Sequence, residues 1–285
     1  MSIVAIVGAG TLGGSIAHTL ATRDRVREIR LIDTTEQVAA GKALDIQQAG
    51  AIVPFSAIVV AHRDLHAVIG ADLVVLAGPA DQADSDWAEE EGVALLRQLV
   101  TLNHRAVTVC AGSSHRRLVE SGVAQTAFSR QRLIGSAPYA FQFALRAVVA
   151  VELECSALDV SLTVLGIPPD HVVVPWSEAT VRGAAIARNL PPARLAKLQR
   201  TAPLVWPLGP YTLAAATARL CEAIIEGTAA YGTPCYVVLD GELGIRGRAA
   251  AVTAHIGTSG VTHVAEPSLS AQERVQLDTA LQKTG

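Results

Sequence analysis

The sequence predicts an α/β protein whose first half is a doubly wound parallel sheet. Short apolar runs alternate there with helical patterns, and this alternation is typical of strands that are buried between two layers of helices. A glycine-rich turn joins the first apolar run to the first helical pattern, as it does in many sheets of this class. The second half mixes strands and helices without that alternation, and it predicts a separate α+β domain.

The first half contains six predicted strands. They fall at residues 3–7, 28–32, 57–60, 73–77, 107–110 and 132–134. The helices between them are predicted from the glycine turn to Ala21 and at 36–49, 89–102 and 115–124. Because the sixth strand ends beside Gly135, the sequence predicts one domain at 1–135 and a second at 136–285.

The second half has fewer and less regular strands. Helices are predicted at 141–151, 178–188, 193–200 and 213–226, and β-structure at 159–165, 236–239, 249–256 and 260–264. Ser270 and Glu273 have the spacing of a capping box, which predicts a last helix that starts after Ser270.

Composition excludes several classes of partner. The chain has 285 residues, of which 50% are hydrophobic, and a formal net charge of -3. It therefore lacks the positive charge that attracts nucleic acids and anionic membranes. No apolar run has the ~20 residues of a membrane-spanning helix. The four cysteines form no metal-ligand pattern, which favours buried thiols in a reducing compartment and no metal site. We therefore expect a cytoplasmic protein that binds a small molecule.

The glycine turn predicts a dinucleotide site. Gly8, Gly10 and Gly13 form a G-x-G-x-x-G sequence between the first strand and the first helix, around Thr11 and Leu12. Such glycines let the backbone approach a pyrophosphate, whose charge then lies at the helix N-terminus. Asp33 ends the second strand, where a carboxylate accepts hydrogen bonds from the adenosine ribose and would repel a 2′-phosphate. The pattern favours NAD over NADP; the alternative is a glycine-rich turn without a ligand.

Beyond this turn, the chain resembles the lactate/malate dehydrogenase family over nearly its whole length. The segments that carry the resemblance are Leu-Ile-Asp at 31–33, Gly-Lys-Ala-Leu-Asp at 41–45, Val-Val-Leu-Ala-Gly at 74–78, Leu-Ile-Gly-Ser at 133–136, Trp-Ser at 176–177, the helix sequence at 211–218 and Gly-Glu-Leu-Gly at 241–244. The resemblance implies an N-terminal Rossmann domain, a C-terminal substrate domain of the family type, and self-association into dimers or tetramers. It also places Ala77, Gly78, Pro79 and Ser113 beside the cofactor.

The chain departs from the family where the catalytic side chains are expected. The family's acid/base histidine lies in a G-x-H-G-D segment, which here reads Gly-Ile-Pro-Pro-Asp at 166–170, so Pro168 takes its position. The aspartate that holds the histidine and the arginine that binds the substrate carboxylate correspond to Phe141 and Ala144. Arg146 lies two residues further on, on a different side of the predicted helix.

Two further family features are missing. The family's mobile loop carries an arginine, whereas the loop at 78–89 is acidic and no lysine or arginine lies between Arg63 and Arg97. Ser113 and Ser114 replace an expected asparagine. Together these departures predict that ordinary 2-hydroxy carboxylates are not the substrates.

A few polar groups could replace the missing ones. His171, next to Asp170, is a candidate acid/base, and its alternative is a histidine in a loop or at a strand edge. His115, Arg116 and Arg117 could bind an anion or simply begin a solvated helix.

Two other groups of side chains could have a role in binding. The acidic side chains that could attract a cation or a basic partner, or form a solvated helix start, are Asp81, Asp84, Asp86, Glu89, Glu90 and Glu91. Tyr139, Phe141 and Phe143 could line an apolar pocket or pack in the core.

Three functions remain open from the sequence. The first is an NAD(H)-dependent oxidoreductase with an unknown substrate that is not a 2-hydroxy carboxylate. The second is a catalytically silent NAD(H)-binding sensor or partner subunit. The third is residual malate or lactate dehydrogenase activity, reduced because losing a proton-transfer group alone costs ~10²–10⁴-fold in rate.

Overall fold

The computed structural model describes residues 2–81, 87, 89–227 and 232–282, and its first half is a six-stranded parallel sheet. The strand order is β3-β2-β1-β4-β5-β6, which is the order of a dinucleotide-binding sheet. The strands are β1 (Ile3–Val7), β2 (Glu28–Ile32), β3 (Ile58–His62), β4 (Leu73–Leu76), β5 (Val107–Cys110) and β6 (Leu133–Gly135). All six predicted strands are confirmed, with small differences at their ends.

Helices cover both faces of this sheet. They are α1 (Thr11–Arg23), α2 (Glu36–Ala49), α3 (Glu89–Leu102) and α4 (Arg116–Gln125), close to the predicted ranges. Alternate residues of β1 belong to different apolar clusters, since Val4 and Ile6 pack in one and Ala5 and Val7 in the other. Burial on both faces explains why these strands read as continuous apolar runs.

The second half extends this sheet with antiparallel strands and adds a small separate sheet. The strands of the second half are β7 (Val160–Ser161), β8 (Leu165–Ile167), β9 (His171–Val173), β10 (Thr180–Val181), β11 (Ala184–Ala185), β12 (Thr233–Asp240), β13 (Arg246–Gly257) and β14 (Gly260–Val264). β12 pairs with β6 at one position, Tyr236 opposite Gly135, and the sheet then runs through β13, β8 and β9. A Cβ at Gly135 would lie 2.9 Å from the Tyr236 ring, so glycine permits this join.

Five helices accompany these strands among the residues that the structure describes. They are α5 (Ala137–Leu153), α6 (Ile186–Asn189), α7 (Pro192–Thr201), α8 (Pro210–Glu226) and α9 (Ala271–Gln282). α5 covers β12, and its apolar face packs with α8 and Trp206 in a second core cluster. None of the helices in the described ranges has the length and apolar character to cross a membrane.

The predicted helix at 178–188 is wrong. Residues of β10 and β11 form a small antiparallel sheet with β7, and only the four residues of α6 are helical. Arg182 and Gly183 both have positive φ, 50° and 77°, and they make the two-residue turn of a hairpin. The alanine-rich composition favoured a helix, but the Arg-Gly pair and the β-branched Thr180 and Val181 determine the local structure.

The predicted capping box at the last helix is confirmed. Glu273 is buried and accepts hydrogen bonds from the Ser270 backbone N–H at 2.9 Å and from the Ser270 hydroxyl at 2.7 Å. The same carboxylate also accepts from the N–H and hydroxyl of Ser177. One buried carboxylate therefore both begins α9 and fixes the segment that follows β9.

Candidate functional site

The glycine turn after β1 packs directly on the segment after β4. Gly8 has a φ of +101°, and a Cβ there would lie 2.4 Å from the Ala77 carbonyl oxygen. A Cβ on Gly10 would lie 2.7 Å from the Gly78 oxygen, which accepts the Gly10 N–H at 3.0 Å. Side chains are excluded at both positions because the two backbones are in contact.

α1 begins at this turn and approaches it closely. A Cβ on Gly13 would lie 1.9 Å from the Gly8 carbonyl oxygen, so α1 can reach the turn only with glycine at this position. The first N–H groups of a helix have no acceptor within the helix, and they carry its positive end. Thr11 and Leu12 supply such groups, at the place where a pyrophosphate would bind. The turn therefore fits a dinucleotide.

Asp33 is buried and accepts hydrogen bonds from three backbone N–H groups, which the sequence does not predict. Its side chain is only 6% exposed. One carboxylate oxygen, Oδ2, accepts the N–H of Ala9 at 2.7 Å and that of Ala80 at 2.9 Å, and Oδ1 accepts the N–H of Thr35 at 2.8 Å. The predicted ribose carboxylate thus lies beside the glycine turn and holds the segment after β4 to it, while its bond from Thr35 is local.

Lys42 belongs to this site and sequence reasoning missed that role. Its ammonium group donates to the carbonyl oxygens of Ala9 at 2.6 Å and Gly10 at 2.8 Å, from the facing side of α2. Burial lowers the pKa of Lys42, and the nearby Asp33 carboxylate partly offsets that effect. In the sequence, Lys42 is a cation on the second predicted helix, and the segment 41–45 that contains it supports only the family resemblance.

The segment after β4 packs against the glycine turn and forms one side of the site. Ala77, Gly78 and Pro79 are buried, and the indole N–H of Trp87 donates to the Ala77 carbonyl. The predicted acidic stretch falls partly outside the described residues, since Asp84 and Asp86 are not among them. Glu89, Glu90 and Glu91 lie in the first turn of α3, where negative charge is favourable.

The end of β5 carries Ser113 and a buried histidine. The His115 side chain is 1% exposed, and its Nδ1 accepts the Gly112 N–H at 2.9 Å. Ser113 is half-buried in the same loop, at the carboxyl edge of the sheet. Arg116 donates to Glu120 at 2.9 Å and to the Ala249 carbonyl at 3.2 Å, which is a structural role, whereas Arg117 is exposed.

The positions at which the resemblance places the family's catalytic side chains are apolar and largely enclosed. Pro168 is buried in the turn between β8 and β9. Phe141 is fully buried in α5 and meets the Trp206 ring edge-on, with centroids 5.6 Å apart. Ala144 is half-buried one turn further along α5, and the guanidinium of Arg146 lies 5.2 Å from the Phe143 ring centre. Neither Pro168 nor Phe141 nor Ala144 can exchange a proton or bind a carboxylate.

The aromatic side chains of α5 divide between two environments. Phe141 packs in the core, which is the second of the two predicted alternatives. Tyr139 and Phe143 are half-buried and contact each other edge-on, with ring centres 4.8 Å apart.

Of the candidate acid/base pair, Asp170 lies in the turn between β8 and β9, and His171 is the first residue of β9. Asp170 is exposed, and His171 pairs with Ile167 across the hairpin of β8 and β9. His171 also lines a cavity of about 440 Å³ between β9, α7 and α9, together with Trp176 and Gln199. The residues that line this cavity include none from the glycine turn or from the segment after β4. A catalytic role for Asp170 and His171 stays a prediction.

Comparison with known proteins agrees with this geometry. The family described as "lactate/malate dehydrogenase, NAD binding domain" matches residues 2–86. The malate dehydrogenase of Desulforudis audaxviator is 30% identical over 98% of this chain and 94% of its own. That of Thioalkalivibrio sulfidiphilus is 30% identical over 99% and 96%. The solved malate dehydrogenase from Salinibacter ruber has a TM-score of 0.88, with 25% identity, over 98% of this chain and 93% of its own.

The sheet order, the glycine turn and Asp33 define a dinucleotide-binding oxidoreductase fold, and its cofactor is NAD. The chain belongs to the lactate/malate dehydrogenase family.

Proposed function

We propose that this protein is an NAD(H)-dependent oxidoreductase that does not turn over ordinary 2-hydroxy carboxylates. The observation that carries the proposal is the apolar set of Pro168, Phe141 and Ala144 at the positions where the resemblance places the catalytic histidine, aspartate and arginine. Hydride transfer to a carbonyl needs a proton for the oxygen, and a carboxylate substrate needs a cation. These three side chains supply neither.

The residues of the glycine turn would hold the cofactor. Thr11 and Leu12 would present the helix N-terminus to the pyrophosphate, and Asp33 would accept hydrogen bonds from the adenosine ribose. Bound NAD(H) supplies the hydride chemistry. Phe141 is buried and packs against the half-buried Trp206, and such apolar surroundings favour a neutral carbonyl compound over a charged acid.

The decisive experiment follows NADH oxidation against a panel of carbonyl compounds. The panel contains pyruvate, oxaloacetate, bulky 2-oxo acids, neutral ketones and aldehydes, and NADH binding is measured separately by calorimetry. We expect binding of NADH, turnover confined to neutral or bulky compounds, and rates on pyruvate and oxaloacetate at least ~10²-fold below those of an enzyme with an intact proton-transfer group. Family-like rates on pyruvate or oxaloacetate would refute the proposal.

Two variants sharpen this test. His171→Ala abolishes turnover if His171 is the acid/base, and His66→Ala is the matched control because His66 is exposed and pairs only locally with Asp64. Full activity of His171→Ala would remove His171 from the mechanism. Silence on every compound, with NADH still bound, would favour the NAD(H)-binding sensor or partner subunit instead.

We also propose that the protein self-associates as a dimer or tetramer in the cytoplasm. Leu44 on α2 and Tyr211 on α8 support self-association, since these large side chains are 59% and 81% exposed. Sedimentation at micromolar concentration tests this proposal, and a monomer would contradict it.

A further inference from the structure

We infer that the Ala80 backbone N–H and the adenosine ribose of NAD compete for the Asp33 carboxylate. Binding of the cofactor then releases the Pro79–Ala80 segment from the glycine turn. The inference rests on the proposed function, and it adds a coupling between the cofactor site and the segment after β4.

The competition follows from the number of acceptor positions. A carboxylate has about four lone-pair positions, and Asp33 already accepts three backbone N–H groups, from Ala9, Thr35 and Ala80. A ribose brings two hydroxyl donors. Oδ2 accepts two of the three existing bonds, so a ribose that approaches both oxygens needs one of those two N–H groups to leave.

Ala80 is the donor that can leave. Ala9 belongs to the glycine turn, which other elements hold, since the Gly8 N–H donates to the Ile32 carbonyl oxygen at 2.8 Å and the Lys42 ammonium donates to the Ala9 carbonyl oxygen at 2.6 Å. Ala80 comes from a separate segment, and its contact with Asp33 spans 47 residues of sequence. The Ala80 N–H is only partly buried, so water can replace Asp33 as its acceptor.

The carboxylate is also shielded while this contact exists. Asp33 is 6% exposed, and Gly78 and Pro79 lie against Gly10 on the same side of the turn. While the Ala80 N–H donates to Asp33, the segment after β4 occupies part of the space beside this carboxylate. Each molecule of NAD that binds must open this contact, and the affinity for NAD is reduced by the stability of the contact.

Hydrogen exchange of the full-length protein tests the inference directly. With saturating NADH we expect the Ala80 amide to exchange faster and the Ala9 amide to exchange no faster than in the free protein. ADP-ribose, which has the adenosine ribose and no nicotinamide, should give the same acceleration. Unchanged or slower exchange at Ala80 with NADH bound would overturn the inference while leaving the proposed function intact. Absence of NADH binding would overturn both.

A pair of variants gives an independent readout. Ala80→Pro removes the competing N–H and should bind NADH about tenfold more tightly, which corresponds to ~1.4 kcal/mol. Ala80→Gly keeps the N–H and is the matched control, with an affinity close to that of the unaltered protein. Equal affinities of a folded Ala80→Pro and Ala80→Gly would contradict the competition. If Ala80→Pro fails to fold, the exchange measurement decides.

Discussion

Replacing Gly13 by alanine should destabilise the protein, although Gly13 lies in a helix. Alanine is the better helix former, and this preference alone stabilises by about 1 kcal/mol. At Gly13, however, the new Cβ would lie 1.9 Å from the Gly8 carbonyl oxygen, which is backbone and cannot rotate away. Overpacking of this kind costs up to about 3 kcal/mol. We therefore expect a net loss of about 2 kcal/mol in the free energy of unfolding.

Gly41 provides the matched control. It lies in α2, is exposed, and a Cβ there would meet nothing within 4 Å. Gly41→Ala should therefore show the helix preference alone, a gain of about 1 kcal/mol. The two alanine variants should differ by about 3 kcal/mol, or roughly 6–12 °C in Tm for a chain of this size.

Thermal unfolding followed by circular dichroism measures this difference, and calorimetry measures NADH affinity. Gly13→Ala should also bind NADH weakly, because α1 must retreat from the turn to accommodate the new methyl group. If Gly13→Ala unfolds at the same temperature as Gly41→Ala, the close approach of α1 to Gly8 is not present in solution. The glycine turn would then lack the close packing that fits a dinucleotide.

Three further predictions concern packing and charge. Phe141→Ala should cost ~3–5 kcal/mol in urea unfolding, because it removes a fully buried ring packed on Trp206, and a loss under ~1 kcal/mol would contradict that packing. Burial raises the pKa of Glu273, but hydrogen bonds from Ser177 and Ser270 outweigh this effect, so the pKa of the carboxyl lies below its usual range. Glu273→Gln should therefore lose stability most at neutral pH, and its difference from the unaltered protein should disappear as acidification passes the folded-state pKa; a difference independent of pH would refute this. Glu222→Gln should lose ~1–3 kcal/mol by breaking its bidentate contact with Arg23 at 2.5 and 2.6 Å, and strict additivity with Arg23→Gln in a double-mutant cycle would show no coupling.

Much of the first half could be predicted because its signals are local. β1 is a continuous apolar run, and the glycines after it are needed for contacts within one strand–turn–helix unit. The three bonds of Asp33 could not be predicted, since one of them joins Asp33 to a residue 47 positions away. The ammonium of Lys42 likewise reaches carbonyls 33 and 32 positions away, and no periodicity reports such contacts.

The second half shows where composition misleads. Alanine at 184 and 185 favours a helix in isolation, yet both residues form β11 because Arg182 and Gly183 reverse the chain. The predicted helix at 213–226 succeeded because its buried residues repeat at helical spacing, and α8 only extends it to Pro210. The role of Phe141 depended on knowing that Trp206, far along the chain, lies against it.

The single pairing of Gly135 with Tyr236 has a consequence for how the chain is made. β6 leaves the ribosome roughly 100 residues before its partner β12, which takes about 5–20 s at ordinary rates of synthesis. During that interval the nascent parallel sheet has an open edge, and open edges recruit other strands. The last edge of the parallel sheet is therefore covered only after most of the second half has been synthesised.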